Sequence, residues 1–165
     1  IRGAGPGHWA GLDLTLTPGK SVSVLWAAGN EGQRELIEAA HCAAVDRALR
    51  FVVDERLIVV RTGAGGVERH APSDVIVARF DHYTTREGDP NVHTHCVIMN
   101  VAGAPPNAGS GRYASEHLTI DPVSVFEWQR VIGAAYRAAL AERLHDAFGV
   151  TFREAGQGQW EIAGV

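Results

Sequence analysis

Hydrophobic and polar residues alternate along several short stretches of the chain. Residues 11–17 (GLDLTLT) place three leucines on one face and Asp13, Thr15 and Thr17 on the other, which predicts a half-buried strand. Two further strands, over residues 73–82 and 91–101, are joined by a short polar loop. Shorter strands are predicted over residues 56–61 and 67–70 around a glycine-rich turn, and a hairpin over residues 150–162.

Two long segments instead repeat their apolar residues at helical spacing. Residues 31–54 predict one helix, and a second is predicted from Pro122 to Phe148, with Asp121 as its N-cap and Gly149 as its stop. A short helix is predicted to begin with Thr17 as its N-cap. The order of elements predicts an α+β fold, in which helices flank a mostly antiparallel central sheet. We expect residues 1–165 to form a single domain, with a mobile loop over residues 102–111.

Composition and charge narrow the classes of function. The chain has 165 residues and a formal net charge of −4, which argues against a broad, unspecific nucleic-acid binder but not against a local basic stripe. No segment approaches the roughly 18 apolar residues of a membrane span, so no membrane insertion is predicted. Two cysteines make no disulfide framework and favour a reducing compartment.

Three of the eight histidines lie within fourteen positions. His93 and His95 are two residues apart in a predicted strand, so their side chains leave the same face, and a hairpin can bring His82 beside them. Three neutral imidazoles from two strands are typical of a metal site with open positions, which polarises a phosphate oxygen or activates a water. Structural histidines on a wet edge strand are the alternative. The apolar residues that follow make that alternative the weaker one.

Two segments of the sequence resemble one family. Residues 82–100 (HYTTREGDPNVHTHCVIMN) are similar to the three-histidine motif of conjugative relaxases of the TrwC/TraI-like (MobF) family, which are HUH endonucleases. Residues 11–23 (GLDLTLTPGKSVS) resemble a second segment of that family, and residues 112–160 follow its later pattern more loosely. The resemblance implies a two-layer HUH relaxase fold. It also implies metal-dependent, strand-specific nicking and transfer of single-stranded DNA at a plasmid transfer origin.

The resemblance also implies roles for particular residues. His82, His93 and His95 would hold a divalent metal, Mg, Mn or Zn. Asp13 matches the acidic residue of the family, which lies near the histidines and would orient an imidazole or receive the proton of an attacking tyrosine. The partners implied are single-stranded DNA of a transfer origin, other relaxosome proteins and type IV secretion components. We expect a monomer in the bacterial cytoplasm.

Two basic residues are candidates for phosphate contacts. Arg86 matches an arginine of the family just after the first histidine, and its guanidinium suits a phosphate, although a salt bridge with Asp89 or Glu87 is nearly as good an interpretation. Lys20 lies at a predicted helix start, where backbone N–H groups also favour a phosphate. A solvated lysine is the alternative there.

The attacking group is where the chain departs from the family. The catalytic tyrosines of the family precede the Gly-Leu-Asp-Leu-Thr segment, whereas only ten residues precede Gly11 and none is tyrosine. Tyr83, Tyr113 and Tyr136 do not match that position; we expect packing or a loop for Tyr83, a loop for Tyr113 and the helix core for Tyr136. We therefore expect a relaxase fragment without the nucleophile segment and the C-terminal helices that cover DNA, inactive in covalent nicking.

Two other functions remain open from the sequence. A three-histidine hydrolase that uses a metal-activated water needs no tyrosine, and a non-catalytic module could bind single-stranded DNA with the same scaffold. Tyrosines upstream of Ile1 would favour the relaxase. Among the remaining residues, His41 and His145 are expected on helix surfaces. Core packing is expected for Trp128 and Trp160, with base stacking as the alternative.

Overall fold

The computed structural model describes residues 9–105, 117–156 and 158–164. The strands are β1 (Gly11–Leu16), β2 (Val59–Thr62), β3 (Glu68–His70), β4 (Val75–Thr84), β5 (Pro90–Gly103), β6 (His117–Leu118), β7 (Ile120–Asp121), β8 (Phe152–Glu154) and β9 (Trp160–Ile162). The helices are α1 (Lys20–Ala28), α2 (Glu31–Asp54), α3 (Val123–Glu127) and α4 (Gln129–Phe148). Residues 106–111 of the predicted mobile loop lie outside the described residues.

The main sheet is antiparallel, as predicted. Strand β5 lies between β1 and β4, and β6 pairs with the far end of β5. Alternate side chains of β5, from Val92 to Ile98, are buried against the helices. The side chains between them, which include His93 and His95, leave the opposite face. The α+β class is confirmed. Because successive side chains of a strand point to opposite faces, the sheet has one packed face and one polar face.

Helices α2 and α4 cover the packed face of the sheet. The predicted bounds of α2 are confirmed, and Asn30 with Gln33 forms a capping box at its start. The core cluster joins apolar residues of the helices with those of β1 and β5, including Val45, Ile132 and Ile98. Within the described residues, no helix is long and apolar enough to cross a membrane.

The start of α1 differs from the prediction. The helix begins at Lys20 after Gly19, so the N-cap predicted at Thr17 is wrong. The carboxylate of Glu161 accepts hydrogen bonds from the backbone N–H groups of Lys20 (2.9 Å) and Ser21 (2.7 Å). A carboxylate from β9 therefore caps α1, and its partner on the helix is 140 positions away. Burial raises the pKa of Glu161, but these hydrogen bonds outweigh it and lower the pKa overall.

The helix predicted from Pro122 is divided. Trp128 separates α3 from α4, and Asp121 belongs to β7, although its Oδ1 still accepts a hydrogen bond from the backbone N–H of Val123 at 3.1 Å. Gly149 ends α4 in the left-handed conformation, with φ of 67°, as predicted. The hairpin predicted near the C-terminus is confirmed as β8 and β9.

Asp121 also joins the smaller sheet, in which β2 lies between β3 and β7. Its carboxylate is 8% exposed and lies 2.6 Å from guanidinium nitrogens of both Arg61 and Arg69. Burial raises the pKa of Asp121, but the hydrogen bonds from Arg69, Val123 and Arg61 hold it at about 2. The carboxylate is therefore expected to stabilise the folded chain in its charged form.

We expect stability to fall as the pH drops from about 4 to about 2, because a carboxyl with a lowered pKa stabilises the fold only above its unfolded pKa. The loss should be on the order of 1–2 kcal/mol, reduced by the solvent around the half-exposed arginines. Asp121→Asn should have a lower free energy of unfolding at pH 7. That free energy should also change less between about pH 4 and about pH 2. Urea unfolding between pH 2 and 7 measures both. Asp146→Asn, on the exposed face of α4, is the control, and equal behaviour of the two variants would contradict the assignment.

Candidate metal centre

The pairing of β4 with β5 brings the three histidines together. His82 lies directly opposite His93, and Phe80 lies opposite His95. Because directly paired residues of antiparallel strands share a face, all three imidazoles project from the polar face of the sheet. The predicted juxtaposition of the three histidines is confirmed.

The three rings form a nearly equilateral triangle. Their centroids are 5.1 Å (His82–His93), 5.2 Å (His93–His95) and 5.4 Å (His82–His95) apart. One nitrogen of each ring lies within 4.8 Å of the corresponding nitrogens of the other two. His82 is exposed and the other two rings are partly buried, so the triangle is anchored by the sheet and open on one side.

Hydrogen bonds orient two of the rings. The Nδ1–H of His95 donates to the carboxylate Oδ2 of Asp13 at 2.7 Å. The Nδ1–H of His93 donates to the backbone carbonyl of Asn91 at 2.8 Å. With Nδ1 protonated, each neutral ring keeps its lone pair on Nε2. Carboxylate and carbonyl partners behind imidazoles are typical of metal-ligating histidines, so the donor set and its support fit a divalent transition metal.

Asp13 reaches His95 from the neighbouring strand. It belongs to the polar face of β1, and Thr15, two residues further on, is the direct cross-strand partner of His95. The hydroxyl of Thr15 lies 3.2 Å from Nδ1 of His95. The alternation of residues 11–17 thus places both Asp13 and Thr15 beside the histidine cluster. The carboxylate of Asp13 remains 47% exposed, and it is held beside the cluster by its hydrogen bond with His95.

The two predicted phosphate-binding residues lie in different settings. Arg86 is exposed in the turn between β4 and β5, and no ion pair with Asp89 or Glu87 forms in the part of the chain that the structure describes. Lys20 lies at the start of α1, and its Nζ donates to the backbone carbonyl of Pro90 at 2.7 Å. Arg86 is therefore available for an anion, whereas Lys20 also ties α1 to the first residue of β5.

Three expectations about aromatic and histidine residues are wrong. His41 is 2% exposed rather than on the surface, and its ring nitrogens contact Tyr136 of α4 and Thr94 of β5. Trp128 and Trp160 are 41% and 39% exposed rather than in the core. Trp128 lies at the break between α3 and α4, where its ring rests against Phe51 with centroids 6.2 Å apart.

The described tyrosines lie away from the histidine cluster, as expected. The ring of Tyr83 stacks on that of Trp26 at 5.1 Å between centroids. Tyr136 is 1% exposed in the core. Tyr113 lies outside the described residues.

A polar groove at the β1 edge of the main sheet was not predicted. It has a volume of about 390 Å³ and runs between β1 and α4, from Thr15 to Arg137 and Arg130. The guanidinium of Arg137 lies against Gly133, and its Nη1 is 3.0 Å from where a β-carbon on that glycine would be. Burial lowers the pKa of Arg137, and no carboxylate pairs with it among the described residues. The seven-residue spacing of Arg130 and Arg137 was visible, but not that this helix face borders β1.

These features define an α+β protein with a three-histidine cluster on the open face of an antiparallel sheet. Residues 3–165 match the family described as TrwC relaxase. The chain belongs to the TrwC relaxase family.

Individual relatives agree with this assignment. The multifunctional conjugation protein TraI of Escherichia coli K12 is 34% identical over 167 residues, which is 96% of this chain and 9% of TraI. A conjugative relaxase TrwC in complex with mutant oriT DNA superposes with a TM-score of 0.75 at 28% identity, covering 98% of this chain and 57% of TrwC. A metal-bound TrwC–oriT DNA complex gives a TM-score of 0.76 at the same identity. The chain thus spans about half of the solved TrwC relaxase and a small part of TraI.

Proposed function

We propose that this chain is the metal- and DNA-binding part of a relaxase that nicks single-stranded DNA at a transfer origin and transfers the strand. The observation that carries the proposal is the triangle of His82, His93 and His95 with Asp13 behind it, in a chain of the TrwC relaxase family. The related TrwC was solved in complex with oriT DNA and bound metal. This supports binding of DNA and a metal by the present chain.

His82, His93 and His95 would hold the metal through their unprotonated nitrogens. A divalent ion at this position supplies positive charge that stabilises a phosphate during an in-line displacement. We propose Mn²⁺ or Zn²⁺ rather than Mg²⁺, because a donor set made only of imidazoles suits the transition metals and Mg²⁺ prefers oxygen ligands. Asp13 would keep His95 in the tautomer and orientation that the site needs.

The polar surface around the cluster fits a single DNA strand. Phe80 is 53% exposed directly across from His95 and offers a ring on which a base can stack. Arg86 in the turn between β4 and β5, and Arg130 and Arg137 in the groove at the edge of β1, supply cations for the backbone phosphates. This local basic stripe reconciles DNA binding with a net charge of −4.

The nucleophile of the proposed reaction is neither Tyr83 nor Tyr136. The ring of Tyr83 is stacked on Trp26, and the hydroxyl of Tyr136 is hydrogen-bonded to the buried imidazole of His41. Neither hydroxyl therefore faces the histidine triangle. In the proposed reaction, a tyrosine oxygen forms a bond to phosphorus, the bond from phosphorus to the 3′-oxygen breaks, and that oxygen takes a proton from water and leaves as a hydroxyl. Asp13 is placed to accept the proton of the tyrosine if the hydroxyl approaches beside His95.

Binding of labelled oligonucleotides to this chain tests the proposal. We expect fluorescence anisotropy to show Mn²⁺-dependent binding of a single strand from a transfer origin, at least tenfold tighter than binding of the same sequence as a duplex. A competing three-histidine hydrolase would bind metal without preferring the single strand. Metal binding without any preference for single-stranded DNA would therefore contradict the proposal.

Arg137 allows a sharper test of the groove. We expect Arg137→Ala to weaken single-strand binding about tenfold and to reduce the slope of log K against log salt by about 0.7, the value for one lost phosphate contact. Arg143→Ala, which removes a charge from the same helix outside the groove, should leave both quantities unchanged. Salt titrations of the two variants make the comparison. Equal losses would mean that only the overall charge matters.

A further inference from the structure

A row of four polar side chains lies on the helix side of the sheet, directly behind the histidine cluster. The two ring nitrogens of His41 lie 2.7 Å from the hydroxyl of Tyr136 on α4 and 2.7 Å from the hydroxyl of Thr94 on β5. Thr94 in turn is bonded to the carboxylate of Asp81 on β4. His41, Tyr136 and Thr94 are at most 2% exposed. The row therefore links α2, which carries His41, and α4 to the two strands that carry the histidine cluster, β4 and β5.

The hydrogen bonds have a defined direction. A carboxylate only accepts, so the hydroxyl of Thr94 donates to Asp81 and accepts from the Nε2–H of His41. Nδ1 of His41 then carries the lone pair and accepts from the hydroxyl of Tyr136. Burial lowers the pKa of His41 to about 4, although Asp81 opposes it, so the ring is neutral at pH 7 as this assignment needs. Each member is satisfied in one arrangement only.

The row binds β4 and β5 at positions next to the three histidines. Thr94 stands between His93 and His95, and its side chain points to the opposite face. Asp81 immediately precedes His82 and is the direct cross-strand partner of Thr94. We propose that His41 is a positioning residue, and that its hydrogen bonds through Thr94 to Asp81 hold β4 and β5 in the alignment that keeps the three imidazoles converged. The role in metal binding rests on the proposed function.

The next buried positions of β5 after Thr94 carry no hydroxyl, amide or charged group. Cys96 and Ile98 follow Thr94 on the buried face of β5 and belong to the core cluster, and within the described residues their side chains form no hydrogen bond. A buried polar row costs stability unless every member is hydrogen-bonded. Its hydrogen bonds, however, fix distances and orientations, whereas apolar contacts have no preferred direction. The row occurs where the opposite face needs precise geometry.

Two substitutions at Thr94 separate positioning from packing. Thr94→Val keeps the shape of the side chain and removes the hydroxyl, whereas Thr94→Ser keeps the hydroxyl and removes the methyl group. We expect Thr94→Val to weaken binding of Mn²⁺ about tenfold, the scale found for partners behind metal ligands, and Thr94→Ser to stay within about twofold of the unchanged protein. In metal-free protein, the imidazole ¹⁵N resonances of His93 and His95 should shift in Thr94→Val and return in Thr94→Ser.

Two further variants protect the test from a folding defect. Tyr136→Phe removes only the far hydroxyl and should change affinity and resonances in the same direction as Thr94→Val, by less. Leu144→Ala makes a cavity on α4 away from the row and should lower the melting temperature without changing either readout. The inference is overturned if Thr94→Val and Tyr136→Phe leave the resonances unchanged, or if Leu144→Ala changes them equally. If the unchanged protein binds no metal, the proposed function fails and the metal-free resonances still decide the inference.

Discussion

His93→Ala/His95→Ala should abolish metal binding by the folded chain. The variant removes two of the three imidazoles, and each ligand of a zinc-type site accounts for several kcal/mol, so the dissociation constant should rise at least about a thousandfold. Isothermal titration with Mn²⁺ or Zn²⁺ measures this, with one ion bound per unchanged chain. Both histidines lie on the open face of the sheet, so we expect circular dichroism to show a normal fold.

His117→Ala is the matched control for this variant. His117 is exposed on β6, which pairs with the far end of β5, so the change removes a histidine from the same sheet away from the cluster. We expect its metal affinity to equal that of the unchanged protein. Tight binding that persists in His93→Ala/His95→Ala would place the metal elsewhere, and equal losses in both proteins would point to unspecific binding by histidines.

Asp13→Ala should weaken metal binding by about 10- to 100-fold while all three imidazoles remain. The carboxylate accepts the Nδ1–H of His95 at 2.7 Å, and without it the ring can change tautomer and present the wrong nitrogen. The metal affinity of Asp13→Asn should lie between those of the unchanged protein and Asp13→Ala, because an amide oxygen still accepts this hydrogen bond but carries no charge. Titrations of the three proteins test this order. Affinity that is unchanged in Asp13→Ala would mean that the contact with His95 is incidental.

Much of the fold could be predicted because its local signals are strong. The alternation of residues 11–17 and the helical period of residues 31–54 correspond to β1 and α2, and the two-residue spacing of His93 and His95 places them on one face. Such periods depend only on neighbours in the chain. For the same reason they predicted one helix after Pro122, whereas the structure has a break at Trp128, whose ring lies against Phe51 of the distant helix α2.

What the sequence could not show depends on contacts between distant segments. Glu161 caps α1, which nothing near Lys20 indicates, and the burial of His41 depends on Thr94 and Tyr136, which are 53 and 95 positions away from it. The role proposed for Arg137 likewise required knowing that its face of α4 borders β1. The sequence motifs located the histidine triangle, whereas the groove and the buried row emerged only with the fold.

A crystal structure of the chain with Zn²⁺ and a single-stranded transfer-origin oligonucleotide, phased for the zinc anomalous signal, tests the central claim most directly. We predict one strong peak about 2.0–2.1 Å from a ring nitrogen of each of His82, His93 and His95, with a DNA phosphate beside the ion. Zinc bound at another place, or DNA bound away from the histidine triangle, would contradict the account.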